Sequence, residues 1–98
     1  MNFLSLNARI LNRDSIRYNY AGIPVLEMTL SSFSKVLEYN IERNINLTIK
    51  AIALGTLAIS LDKTPYDKEF FATGFLAPIY KNSVILRFHL QKITSSDD

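Results

Sequence analysis

The chain has 98 residues, of which 48% are hydrophobic, and a formal net charge of +2. That is room for one domain with one modest core, and too apolar a composition for a disordered chain. There is no cysteine, which removes disulfides, thiolate metal sites and cysteine nucleophiles together. The net charge of +2 is too small to imply a polyanionic partner by itself, although setting aside Asp97 and Asp98 leaves eleven bases against seven acids, a body charge of +4. Met1 to Leu11 has no basic leader, so it does not read as a signal peptide. No apolar run approaches the ~20 residues that a membrane span needs, and no membrane partner is expected.

Leu4, Leu6, Ala8 and Ile10 share one face of residues 2–11, with Ser5, Asn7 and Arg9 on the other. This is a half-buried first strand. Asn12-Arg13-Asp14 breaks or bulges it, and Ile16 to Tyr18 resume the extended run. A strand bent by a bulge is a device for curving a sheet into a barrel. Asn19 to Gly22 carry turn chemistry. Pro24, lacking an N–H, suits the first residue of a second strand that runs to about Ser32, with Leu26, Met28 and Leu30 inward.

Ser31 to Asn44 is polar, with apolar residues at Phe33, Val36, Leu37, Tyr39 and Ile41. Ser34 would suit the cap of a helical turn, but a long hairpin loop is favoured. Residues 43–54 alternate cleanly as a third strand, with Ile45, Leu47, Ile49 and Ala51 on one face and Asn46, Thr48, Lys50 and Ile52 on the other. Gly55 ends it, and Thr56 is expected to cap a two-turn helix reaching about Leu61. So short a helix must be held by packing. After a turn containing Pro65, residues 68–77 form a fourth strand whose two apolar faces leave its phase open. Gly74 within it marks a bend or a close backbone approach. Residues 78–83 form a loop. The last strand, 84–93, is expected to turn Val84, Leu86, Phe88 and Leu90 inward. The domain is placed at 1–93, and residues 94–98 read as a short acidic mobile tail.

Five strands with one short helix between strands 3 and 4 give an all-β chain, a five-stranded Greek-key OB-fold barrel. No catalytic set appears. His89 is the single histidine, with no acid beside it in sequence, and reads as structural rather than catalytic or metal-binding. Three glycines make no phosphate loop. The Asn46-Leu47-Thr48 acceptor for glycosylation is set aside because it falls in a core strand. The chain is therefore expected not to be an enzyme, and to use neither cofactor nor metal.

The positive features are dispersed. Arg9, Arg13, Arg17, Lys35, Arg43, Lys50, Lys81 and Arg87 fall on outer faces or in loops, with Tyr18, Tyr20, Tyr39 and Tyr80 near several of them. An OB-fold can track a nucleic-acid strand with such cations and stack bases on aromatics. Equally, surface cations keep a small domain soluble. Val25, Ile52, Ile85 and either Phe71 or Phe75 are expected on the outside of a monomeric barrel. They are either scattered apolar residues or part of a dimer interface.

An ordered set of residues carries a resemblance: Asn2-Phe3-Leu4 with Ala8-Arg9, Arg17-Tyr18, Ala21-Gly22-Ile23-Pro24, Leu47-Thr48-Ile49 and Ala53-Leu54-Gly55. Gly74-Phe75-Leu76-Ala77-Pro78, Lys81, Ser83-Val84 and His89-Leu90-Gln91 extend it. The chain resembles the bacterial primosomal replication protein N family, relatives of single-stranded DNA-binding proteins. It looks most like the beta-proteobacterial forms, which have a short loop before the last strand. The resemblance implies a cytoplasmic OB-fold homodimer that binds single-stranded DNA and works with the PriA helicase, and other primosome proteins, in replication restart at stalled forks. Some relatives place a tryptophan in the third strand as a stacking platform. Here the matching region around Asn46 is polar and there is no tryptophan. Phosphate contacts are therefore expected to dominate, with Arg17, Tyr18, Lys35, Arg43, Lys50, Lys81 and Arg87 as the candidate DNA contacts. An RNA-binding OB domain and a protein-interaction OB module remain as alternatives to the replication role.

Overall fold

Two bulges and two tight turns decide how the alternating segments close on one another. The computed structural model describes residues 1–95. It contains strands β1 (Leu4–Arg13), β2 (Arg17–Tyr18), β3 (Pro24–Glu38) and β4 (Ile41–Leu54), helix α1 (Thr56–Asp62), then β5 (Phe70–Pro78) and β6 (Leu86–Ser95). β1 pairs with both β3 and β5, β5 with β6, β6 in parallel with β4, and β4 with β3. The ring of five strands is thereby closed, as an OB-fold requires. β2 continues β1 along the same partner, pairing Arg17 with Val25.

The bulge expected at Asn12-Arg13-Asp14 falls earlier, at Leu11, and the strand runs on through Arg13: Ile10 faces Leu30 and Asn12 faces Thr29, leaving Leu11 without a partner. One extra residue reverses the side-chain phase. Arg13 therefore shares the inward face with its partner Met28, where its guanidinium donates to the carbonyls of Leu61 (2.8 Å) and Thr64 (2.6 Å). It also lies 4.7 Å from the centre of the Tyr66 ring. A cation there completes the carbonyls that end α1. A second bulge, at Gln91 in β6, lets Leu90 and Ile93 both face the interior.

That interior is one cluster built from β1, β3, β4, β5, β6 and the buried face of α1, Ala58 and Leu61. Phe88, Leu26, Leu30 and Leu61 are fully buried, each worth roughly 1.5–3 kcal/mol of transfer free energy. Seven residues of helix would not persist alone. Its cap is Gly55, at φ 72°, rather than the expected Thr56. The chain must turn sharply from β4, and the Gly55 carbonyl accepts from the N–H groups of Ala58 and Ile59 while its own N–H donates to Pro24.

Residues 31–44 are not a loop. β3 and β4 run on as a two-stranded arm, paired residue for residue from Val25–Leu54 to Glu38–Ile41. Tyr39 and Asn40 close it, both at positive φ, the geometry of a type I′ turn. The arm makes the molecule long, 49 × 37 × 23 Å, with a radius of gyration of 14.3 Å against about 13 Å for a typical domain of 100 residues. The other expected turn forms as read: Gly22 N–H donates to the Asn19 carbonyl, and Asn19 Oδ1 accepts from Ala21 and Ile23.

Three further expectations are corrected. The last strand begins at Leu86, and Val84 and Leu86 are exposed rather than inward, because Tyr80 to Ser83 form a turn and Ser83 holds the Ile85 N–H. Val25 and Ile52 are only 3% and 6% exposed. Both sit on central strands with large lateral neighbours on either side, Arg17 and Leu54 for Val25, Glu27 and His89 for Ile52. β6 also reaches Ser95, two residues past the strand end expected at 93. The remaining tail, 96–98, lies outside the described residues.

Candidate nucleic-acid interface

Period two sorts the β3–β4 sheet into faces. Leu26, Met28 and Leu30 face inward with Ala53, Ala51 and Ile49 opposite them. Val25, Glu27, Thr29, Ser31, Phe33, Lys35 and Leu37 therefore face outward on β3. On β4 the outward row runs Leu54, Ile52, Lys50, Thr48, Asn46, Asn44 and Glu42. Small polar residues thus line a track from Lys50 to Lys35, with the half-exposed ring of Phe33 set into it.

Two depressions follow one another along this track. The first, about 270 Å³, is lined by Asn12, Asp14, Glu27, Thr29, Lys50 and Arg87, with Ile79 at the root of the β5–β6 loop. The second, about 140 Å³, is lined by Asn7, Arg9, Ser31, Phe33, Asn46 and Thr48, among others. Asn7 donates to the Phe33 carbonyl (3.0 Å) and to Glu69 (3.1 Å), which fixes the second depression's wall. Arg9, outward opposite Ser31, donates to the Asp67 carbonyl.

The seven residues expected from sequence divide between places. Lys50 and Arg87 line the first depression, Arg17 reaches its edge only through the ion pair to Glu27, and Lys35 lies further along the same face. Lys35 and Lys50 make no ion pair among the described residues. Arg17 and Arg87 do: their guanidinium groups donate to the two oxygens of Glu27 at 2.6 and 2.9 Å. Arg43 pairs with Val36 on the opposite face of the arm, where it bonds Glu38. Tyr18, next to Arg17 and opposite Pro24, takes the opposite phase and is exposed. Lys81 stands in the exposed β5–β6 loop beside Tyr80. Phe33 is the exposed aromatic on this face that sequence reasoning did not single out. Carrying the β3 alternation past Ser32 would have found it, since every odd position from 25 onward faces outward.

His89 is on the outer face of β6, stacked on Phe75 at 4.9 Å between ring centres. Its Nε2 is buried and has no hydrogen-bond partner among the described residues. Burial, and then the neighbouring Arg87 charge, lower its pKa from 6.5. The unfolded chain therefore takes up a proton near pH 6.5 that the folded chain resists. Stability is fully present above pH 6.5 and is lost as pH falls below it toward the lowered folded value. Urea unfolding at pH 7.5, 6.5 and 5.5 should show that decline, and His89→Phe, which keeps the ring stack, should reduce it. An unchanged pH dependence in the variant would assign the decline to other groups. Among the described residues, no group of three or more metal-ligating side chains occurs, and no helix is long and apolar enough to cross a membrane.

A closed five-strand ring with a polar, cation-flanked outer sheet defines an OB-fold of the single-strand-binding type. Residues 2–92 match the model of a family described as another single-strand binding protein family. The chain is 46% identical to replication restart protein PriB from Bordetella pertussis over 92 residues, covering 94% of this chain and 86% of that protein. The structure of PriB from Ralstonia solanacearum superposes with a TM-score of 0.87 at 28% identity, covering 98% of each chain. The single-stranded DNA-binding protein of Thermus aquaticus shares the fold, with a TM-score of 0.73 at 19% identity, over 97% of this chain and 50% of that one. The chain belongs to this single-strand binding family and, within it, to the PriB proteins.

Proposed function

We infer that the chain binds single-stranded DNA along the outer face of β3 and β4 and serves replication restart at stalled forks. The observation that carries the reading is the register of the β3–β4 ladder. It sets Lys35 and Lys50 on one face, with Phe33 and a row of hydroxyls and amides between them, and Glu27 in the same row holds Arg17 and Arg87 at one end. Cations track phosphates, and a ring offers one stacking surface without sequence preference. Lys81 and Tyr80 extend the contact from the β5–β6 loop. The protein works without catalysis of its own, in the cytoplasm, as a homodimer alongside the PriA helicase. Phe71 and Ile85, both about half exposed, support a subunit contact.

Fluorescence anisotropy with labelled oligo(dT), a duplex and an RNA of equal length tests the reading. Oligo(dT) should bind most tightly. Its log–log salt slope should be near −0.7 for each phosphate neutralised. Salt-independent binding, or preference for RNA or duplex, would overturn it. Sedimentation at micromolar concentration should give a two-subunit mass, and a clean monomer would remove the dimer from the reading.

A further inference from the structure

Glu27 is the one acid in the outward row of β3, and it holds two of the cations expected to meet DNA. Arg17 arrives from β2 and Arg87 from β6, each taking one carboxylate oxygen. We propose that the two guanidinium groups form a phosphate subsite that Glu27 fills with its own carboxylate until a phosphate of single-stranded DNA displaces it. This rests on the DNA-binding reading given above and adds a residue that limits affinity.

Three observations carry the inference. A phosphodiester presents two charged oxygens, as a carboxylate does, so a pair of guanidinium groups set for one suits the other. The side chains of Arg17 and Glu27 are 56% and 34% exposed while Arg87 is 21% exposed, so the Arg17–Glu27 pair, open to water, holds weakly enough to be exchanged first. The first depression lies beside the cluster and gives a phosphate room to enter. Lys50 and Asn12 line it, along with a second acid, Asp14. Arg87 also keeps a buried Nε–H with no acceptor, so its fork is not fully used by Glu27. On exchange the Glu27 carboxylate moves to water, no bond is made or broken, and the arginines stay charged.

The test is oligo(dT) affinity of Glu27→Gln, in the wild-type background and in an Arg17→Ala/Arg87→Ala background. Glu27→Gln alone should bind about three- to tenfold more tightly, at least the worth of releasing the exposed Arg17 ion pair. In the double-alanine background it should change nothing, because the subsite is gone. A neutral or weakened Glu27→Gln overturns the proposal. So does a gain that survives loss of both arginines, which would be simple removal of negative charge. In the wild-type protein, the side-chain carboxyl ¹³C resonance of Glu27 should shift on titration with oligo(dT), and a static resonance overturns the exchange without any variant. Lys50→Ala distinguishes the two levels: if it too leaves binding unchanged, the DNA-binding face itself is misplaced.

Discussion

Gly74→Ala should cost about 3 kcal/mol of stability, the upper part of the range for overpacking a well-filled interior. A Cβ at this position would stand 1.9 Å from the His89 carbonyl oxygen and 2.9 Å from its carbon. Neither atom can retreat as a flexible side chain would. Both belong to the β5–β6 ladder, where Gly74 pairs with Leu90 next to the bulge at Gln91. Moving the His89 carbonyl would also disturb the Phe75–His89 stack and the parallel pairing of His89 with Ile52. Gly22 gives the contrast. Nothing lies within 4 Å of a Cβ there, so Gly22→Ala meets only the dihedral penalty, about 1–2 kcal/mol. Urea unfolding should show the Gly74→Ala midpoint falling at an unchanged m-value. A midpoint within about 0.5 kcal/mol of wild type, the range of surface substitutions, would mean that β5 and β6 separate more easily than this register implies.

The close approach at Gly74 was legible in the sequence because a glycine inside an alternating strand has few other uses. The closed five-strand plan was equally legible, since β1, β3 and β4 each carry a clean period of two. The arm was not. Beyond Ser32, β3 has apolar residues on both faces, Phe33 and Leu37 on one and Val36 on the other, so its alternation fades, and Tyr39-Asn40 is an unusual pair for a type I′ turn, where Asn-Gly is the usual signal. Reading a loop there broke the register, and with it the information that Lys35 shares a face with Lys50 while Arg43 does not. The burial of Val25 and Ile52 was hidden for another reason. Outward positions on central strands are covered by lateral neighbours, and Leu54 beside Val25, like Glu27 and His89 beside Ile52, comes from a strand distant in sequence. The pairing of Arg17 and Arg87 through Glu27 is of the same kind: 60 residues separate Glu27 from Arg87, and no local pattern connects them.

The face assignment makes the sharpest prediction about DNA. Lys35→Glu combined with Lys50→Glu should weaken oligo(dT) binding about a hundredfold at low salt. Two charged contacts at about 1.5 kcal/mol each account for that factor, and the reversed charges add repulsion. The salt slope should become shallower by about 1.4, two phosphates at 0.7 each. Both lysines are exposed, so unfolding should stay within about 0.5 kcal/mol of wild type. Arg43→Glu is the matched control. It lies on the same arm but on the other face and is already bound to Glu38, so it should change affinity far less. Phe33→Ala separates the second component. It should lose the ~1–3 kcal/mol of one stacked base while leaving the salt slope unchanged, because a ring neutralises no phosphate. If Arg43→Glu costs as much as the double lysine variant, the DNA wraps both faces of the arm and the single-face track is wrong. If Phe33→Ala changes the slope but not the affinity, the ring positions neighbouring cations and no base stacks on it.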